Sequence, residues 1–329
     1  TDDPPPPGLR IEPRLNSINP FNWLRIGWAL AQARPDRVWV RFWLPFMGPC
    51  LGTVLRVARL LTGGKLPVTA LVDNIVPHEK RPGDGLFARY FVRACDDFVV
   101  MSRSVGEEIR AFLPQKAAVR PDVVRFAPHP VYDIYGAAQA KPAARSRLGL
   151  PPTAQHVVLF FGLIRPYKGL DLLIEALAHP QVRDLGIHAL VAGECYADWD
   201  DYAGLIERLG LGERVHAAVR FIPNDEVSTY FSAADLVVQP YRTATQSGIS
   251  QIAYHFEKPM VVTRVGGLPE IVTEGVSGYV VEPEAAALAA ALRDFFVHER
   301  AAALSEGVRR EKQRFSWQYL SEVMLNQQP

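Results

Sequence analysis

Two rhythms of apolar positions alternate along this chain: short continuous runs, and runs spaced at three and four residues. Arg37–Trp43, Val68–Val72 and Asp97–Met101 are short, apolar and rich in β-branched or aromatic residues, and they read as strands. Between the first two, Leu51, Val54, Leu55 and Ala58 recur at i, i+3, i+4 and i+7, the signature of an amphipathic helix. Another helix is predicted from Ser104. Strands alternating with helices imply parallel pairing through right-handed crossovers.

From Phe126 to Leu150 the period is lost among Pro, Gly and small polar residues, and this stretch reads as a connection between domains. A second alternation follows. Its predicted strands are His156–Phe161, His188–Ala192, His216–Ile222, Leu236–Pro240, Met260–Val265 and Gly278–Val281. Helical spacing appears at Leu170, Leu173, Ile174 and Leu177, and again at Ile249, Ile252, Ala253 and Phe256. The pattern predicts two α/β halves. In open sheets of this kind ligands bind outside the carboxyl ends of the strands, so the loops after the strands are where chemistry is sought.

Composition narrows the partners. With 329 residues, 48% of them apolar and 22% charged, the chain suits two soluble globular domains. A formal net charge of +1 gives no reason to expect a nucleic acid partner. Cys50, Cys95 and Cys195 are far apart and form no C-x-x-C pair, a pattern of buried thiols in a reducing compartment rather than of disulfides or zinc. The most apolar region, Phe42 to Leu61, contains Pro45, Pro49, Arg56 and Arg59, which argues against a membrane span. The opening TDDPPPPGLR is proline-rich and acidic and cannot begin a packed strand. The region Trp39 to Arg59, with its Trp and Arg residues, reads as a buried strand and helix, and alternatively as a surface touching a membrane-borne acceptor.

Three strand-end turns could carry chemistry. In Phe160-Phe161-Gly162-Leu163-Ile164-Arg165-Pro166-Tyr167-Lys168-Gly169, a buried strand ends at Gly162, Arg165 and Lys168 follow, and Gly169 opens a helix. A helix start offers free N–H groups and a positive dipole end to an anion. Arg as a planar fork and Lys as a point charge can neutralise a diphosphate. Read without a ligand, the same loop is a surface turn with two solvated charges. In Pro240-Tyr241…Thr245-Gln246-Ser247-Gly248-Ile249, Ser247 is placed to cap the next helix, and Gly248 permits close approach of a ligand. Val265-Gly266-Gly267-Leu268-Pro269-Glu270 is the third such turn. In the first half, Asp73-Asn74-Ile75-Val76-Pro77-His78-Glu79-Lys80 follows a strand, and its His78 could bind a sugar or move a proton. It has no paired His or Cys spacing that would suggest a metal. His129, between Pro128 and Pro130, reads as a rigid turn residue.

Taken together, FFGLIRPYKGLDLLIEAL, FIPNDEVSTYFSAADLVVQPYR and TQSGISQIAYHFEKPMVVTRVGGLPEIVTEGVSGYVVEP resemble the donor domain of retaining glycosyltransferase family 4. The resemblance covers Gln155 to about Pro283 closely and extends less specifically to DNIVPHEK and FVVMSRSV. It implies a GT-B fold, with two Rossmann-like parallel-sheet domains facing a cleft. The domains would be an acceptor-side domain with linker over 1–150, a donor domain over 151–311, and a last helix over 312–329 returning to the first domain. The implied reaction moves a sugar from a nucleoside diphosphate sugar to the hydroxyl of a carbohydrate or lipid-linked acceptor, with retention and without metal or resident cofactor. The resemblance assigns Lys168 and Arg165 to the diphosphate, His78 to the sugar hydroxyls, and Gly162, Thr245, Gln246, Ser247, Gly248 and Ile249 to the donor. Glu226 would lie near the base. A cytoplasmic protein, in peripheral contact with the inner face of the membrane through its first domain, would fit such a reaction.

The sequence departs from the family in three places. Leu163 stands where an Arg is usual, and Arg165 two residues later is expected to replace it. Of the pair of glutamates that many members carry around the second helix start, the first position falls near Ala244 or Thr245 and the second reads Ile252, which cannot hydrogen-bond a ribose. The strand and Gly-rich loop that normally open the family have no counterpart before Leu9, which implies an incomplete first domain. Sugar-nucleotide epimerases share the fold, and a non-catalytic nucleotide-sugar-binding protein is the other alternative.

Overall fold

The computed structural model describes residues 8–77, 81–245 and 247–325, and the chain divides into two compact units. The first comprises the chain through Val100 together with Val105–Phe126. The second comprises Met101–Ser104 and the chain from Ala127 onward. Among the described residues, each unit is built on one parallel sheet.

The first sheet contains β1 (Val38–Phe42), β2 (Val68–Val72), β3 (Asp97–Val100) and β4 (Val124–Phe126), in that spatial order. Val68, Ala70 and Val72 of β2 and Phe98 and Val100 of β3 form a core with Leu55 of the helix Gly48–Leu61 and Phe91 of the helix Asp84–Val92. Phe91 stacks on Phe42 of β1 at 4.1 Å between ring centroids. The helix Pro20–Ala33 was not legible from apolar spacing, because it carries apolar residues on both faces. Gly27 faces the helix Gly48–Leu61 so closely that a Cβ there would lie 2.7 Å from Val57 Cβ, while Phe21, Leu24 and Trp28 are exposed. Its start was nonetheless written in the sequence. Asn19 Oδ1 accepts from the Phe21 and Asn22 amides, and Pro20 occupies the first turn.

The second sheet contains β5 (His156–Phe161), β6 (Ile187–Ala192), β7 (Val215–Ala218), β8 (Leu236–Gln239), β9 (Met260–Thr263) and β10 (Gly278–Val281), in spatial order β10-β9-β8-β5-β6-β7. Both faces of the central strands β5, β6, β8 and β9 are buried, which is why they read as continuous apolar runs. The side chains still alternate. Val157, Leu159 and Phe161 of β5 join one core with Leu190 and Ala192 of β6, and Val158 and Phe160 join the other with Ala189 and Val191. From β5 the chain winds outward through β6 to β7, then returns to place β8 on the other side of β5. The junction of β5 and β8 is therefore the topological switch point, where loops diverge and leave room for a ligand.

The segment read as a connection is folded. It opens on β4, and from Ala127 it is counted with the second unit. Its helix Lys141–Arg147 is tied down at Asp235, which receives Lys141 Nζ and Arg145 Nη2. Val131, Ala144 and Leu150 enter the second unit's core. Small and proline residues hid this packing because it rests on ion pairs and single apolar anchors rather than on a period. The last helix, Trp317–Met324, is counted with the second unit, where Trp317 Nε1 donates to the Val131 carbonyl at 3.1 Å. The predicted strand His216–Ile222 ends at Ala218, ahead of Pro223.

No helix among the described residues is long and apolar enough to cross a membrane. The thiols of Cys50, Cys95 and Cys195 are free, and burial raises the pKa of Cys95.

Candidate functional site

The loops after β5 and β8 meet at the switch point through backbone contacts that only glycine permits. Gly162 ends β5 with φ +97°, and Gly169, at φ +66°, precedes the helix Leu170–Ala178. The loop between them is fixed from both sides. On the β6 side, the Gly162 amide donates to the Ala192 carbonyl at 2.9 Å and the Ile164 amide to the Glu194 carbonyl at 2.8 Å. On the β8 side, the Arg242 amide donates to the Tyr167 carbonyl at 2.7 Å, and the Arg242 guanidinium forks onto both oxygens of Asp171 at 2.8 and 2.6 Å. Burial opposes the charge of Asp171, but the hydrogen bond and charge of Arg242 and local amides outweigh it and hold the carboxyl below its ordinary pKa.

Of the residues singled out from the sequence, three are brought together here. A Cβ on Gly162 would lie 3.0 Å from Ile249 Cδ1 and 3.6 Å from Lys168 Nζ. Lys168 Nζ also lies 5.1 Å from the centroid of the Tyr241 ring. The ammonium group thus stands beside bare backbone, next to the first turn of the helix Gly248–His255. Ser247 occupies the cap position of that helix with extended backbone, but its side chain does not cap the helix. Its buried hydroxyl lies 3.4 Å from the Tyr241 hydroxyl instead. Among the described residues no side chain caps the amides of the first turn, and the turn carries no acidic residue. Such an end attracts an anion.

Arg165 stands on the β6 side of the same loop. Its guanidinium carbon lies 4.8 Å from the centroid of the Tyr196 ring, on the loop after β6. Thr245 contributes its backbone: its carbonyl accepts from the Gly267 amide at 3.1 Å. A Cβ on Gly266 or Gly267 would strike the Ala244 or Thr245 carbonyl, so the third glycine turn supports the second loop. A Cβ on Gly248 would lie 3.2 Å from the Tyr132 ring. Tyr132 Oη is 3.1 Å from Nε2 of the buried His129, whose Nδ1 lies 2.8 Å from the Pro130 carbonyl oxygen. Glu226, in the first turn of the helix Asn224–Ala233, is ion-paired with Arg220. Ile252 is buried in the core, as its apolar side chain requires. His78 and Gln246 lie outside the described residues.

Sequence reasoning missed Tyr241, Tyr196, Gly193 and the Arg242–Asp171 pair. Gly193 could have been found, since it directly follows a strand. At φ +152°, a Cβ there would overlap the Gly162 carbonyl. The others depend on which loops become neighbours. Behind the first loop a cavity of about 590 Å³ is lined by Asp171, Glu175, Asp198 and Asp201, with Arg208 and Arg242. Its carboxylates repel a phosphate, so the anion-attracting face is the one with Gly162 and Lys168. Among the described residues no group of three or more His, Cys, Asp or Glu side chains is placed to hold a metal ion.

Two parallel-sheet α/β units with an anion-attracting switch point in the second define the GT-B class of folds. HepE of Anabaena, solved in complex with UDP, is similar over 93% of this chain and 80% of its own, with a TM-score of 0.71 at 20% identity. A structure of the same protein with UDP-glucose gives a TM-score of 0.68. Within the second unit, residues 155–297 match the family described as Glycosyl transferases group 1. D-inositol 3-phosphate glycosyltransferase of Streptomyces coelicolor is 32% identical over 270 residues, 77% of this chain and 54% of its own. That of Segniliparus rotundus is 33% identical over 196 residues, 56% of this chain and 42% of its own. The chain thus spans about half the length of these relatives.

Proposed function

We propose that this chain is a glycosyltransferase that takes a sugar from a nucleoside diphosphate sugar and transfers it to an acceptor hydroxyl with retention of configuration. The observation that carries this reading is the convergence of Gly162, Lys168 and the uncapped start of the helix Gly248–His255 at the β5–β8 switch point. The group 1 family match over residues 155–297 supports it, as does the UDP bound by HepE. In the reaction, the bond from the anomeric carbon to the diphosphate breaks and a bond to the acceptor oxygen forms. The acceptor proton passes to the departing phosphate. The chain's own part is electrostatic: Lys168, Arg165 and the first-turn amides Gly248 and Ile249 meet the charge that develops on the leaving group. Gly162, Thr245, Gln246 and Ser247 line the donor, Glu226 stands toward the base, and His78 positions sugar hydroxyls. The reaction so written needs no metal and no resident cofactor. The names of the relatives make a phosphorylated polyol the first acceptor to try.

Peripheral contact at the inner face of the membrane, with the rest of the protein in the cytoplasm, belongs to the same reading. On the helix Pro20–Ala33 the side chains of Phe21, Leu24 and Trp28 form an exposed apolar stripe. Between Pro20 and Leu66, seven Arg and Lys residues stand against the single Asp36, a balance suited to anionic lipid.

Calorimetric titration with UDP, GDP and ADP, followed by incubation of the matching sugar nucleotides with and without acceptor, tests the proposal. Acceptor-dependent release of diphosphate is expected. A change in the donor sugar without acceptor would favour an epimerase, and binding without turnover a non-catalytic protein.

A further inference from the structure

Ser247 stands where a serine ordinarily caps a helix, yet its hydroxyl is engaged elsewhere. Its backbone is extended, with φ −137° and ψ 119°, at the cap position of the helix Gly248–His255. In that geometry a serine oxygen normally accepts from the amide of the second or third helical residue. Elsewhere in this chain such caps form: Asn19 accepts from the Phe21 and Asn22 amides, and Ser316 from the Tyr319 amide at 3.1 Å. The Ser247 hydroxyl instead lies in the interior, 3.4 Å from the hydroxyl of Tyr241. Tyr241 is itself buried, and its carbonyl accepts from the buried Thr263 hydroxyl, which ties the loop after β8 to β9. Among the described residues Ser247 Oγ is the hydrogen-bond partner of that phenol.

We propose that Tyr241 is a positioning residue of the donor site: its hydroxyl holds Ser247 off the first-turn amides and so keeps the helix start open for the diphosphate. This rests on the donor-site reading above. The balance of costs favours the arrangement. A contact of 3.4 Å is long for two hydroxyls, whose optimum is about 2.7–2.8 Å, so the bond itself contributes little. A buried phenol left without any partner, however, loses more than a helix cap returns. Ser247 therefore stays with Tyr241, and the Gly248 and Ile249 amides keep their capacity for an anion. Lys168 Nζ, 5.1 Å from the centroid of the same ring, brings positive charge to the same place. One tyrosine thus serves both halves of the clamp, its ring under the ammonium and its hydroxyl on the serine. Without the phenol oxygen, Ser247 is expected to turn onto the amides and compete with the ligand.

The test is calorimetry of the full chain with UDP, GDP and ADP, paired with thermal unfolding of the ligand-free protein. The variants are Tyr241→Phe, the double variant Tyr241→Phe/Ser247→Ala, and Lys168→Ala. Tyr241→Phe keeps the ring under Lys168 and removes only the hydroxyl. It is expected to raise the nucleotide Kd about 2–10-fold, the equilibrium equivalent of one helix cap that the ligand must displace. The ligand-free chain should meanwhile melt about 2–4 °C higher, because the cap has formed. A residue of purely structural importance gives the opposite pairing, weaker binding with a lower melting temperature. Adding Ser247→Ala should bring the Kd back toward wild type, since no serine hydroxyl remains to cap the helix. An unchanged Kd in Tyr241→Phe, a lowered melting temperature, or a Kd that rises further when Ser247→Ala is added overturns the positioning role. If Lys168→Ala loses binding while Tyr241→Phe binds as wild type, the donor site stands and this inference falls. If the wild-type chain binds none of the three nucleotides, both fall.

Discussion

A side chain on Gly169 would be driven into the backbone of Pro240: the position of its missing Cβ lies 2.0 Å from the Pro240 carbonyl oxygen. This contact joins the end of the β5 loop to the end of β8 and sets the spacing of the two loops that hold Lys168 and Ile249. Gly169 also sits at φ +66°, where an L side chain costs about 1–3 kcal/mol even with free space around it. Gly169→Ala is therefore expected to destabilise the protein by at least that amount, and to weaken nucleotide binding by separating the loops. Urea unfolding reads the first effect and nucleotide titration the second. An unaltered unfolding midpoint would show that the contact yields easily.

Lys168 stands beside Gly162 and over Tyr241, and in the proposed reaction it meets charge that grows as the diphosphate leaves. Removing one such group usually costs on the order of 10²–10³-fold in turnover. Lys168→Ala should fall in that range, and Lys168→Arg should recover part of the loss because the charge is kept while the shape changes. Steady-state diphosphate release measures both. Turnover close to wild type in Lys168→Ala would remove Lys168 from the chemistry.

His188 on β6 and His216 on β7 are stacked, with Nδ1 of the first 3.0 Å from Nε2 of the second. Burial lowers the pKa of both, and at His188 the charges of His216, Arg214 and Arg145 lower it further. The folded state therefore prefers both rings neutral. As pH falls through about 6.5 the unfolded chain takes up protons first. Stability present above that pH should be lost below it. Thermal unfolding between pH 7.5 and 5 checks this, and His188→Gln should flatten the slope. An unchanged slope in that variant would assign the pH dependence to other groups.

Tyr254, in the last turn of the helix Gly248–His255, donates its hydroxyl to the Ile271 carbonyl at 2.7 Å and lies 3.2 Å from Ser277 Oγ. It is fully buried, and burial pushes its pKa up to about 12. Its ring packs on Phe315 at 4.6 Å. Tyr254→Phe keeps the ring but leaves a buried carbonyl without its donor, a loss of about 1–3 kcal/mol. Urea unfolding should show a lower midpoint with an unchanged m-value. A gain in stability would mean that the hydroxyl is poorly accommodated.

The second unit was the more legible of the two. The run His156–Phe161 matched the observed strand because a strand buried on both faces leaves little room for polar residues. The helix Pro20–Ala33 and the strand Val124–Phe126 were not read. One shows apolar residues on two faces, and the other is too short to establish a rhythm. The stretch after Phe126 was read as a connection because its anchors, Arg145 and Lys141 on Asp235, are charged residues whose partner is distant in sequence.

The loop from Gly162 to Gly169 divides in the same way. Its residue types, its place between a strand and a helix, and its suitability for an anion all follow from the local sequence, since helix ends and glycine conformations are local properties. Which way each cation turns does not. Lys168 stands with Ile249 because β8 returns beside β5, and Arg165 lies on Tyr196 because β6 flanks the other side. Strand order is a long-range outcome of packing two sheet faces against their helices. Only that order decides which neighbours a charged side chain can reach.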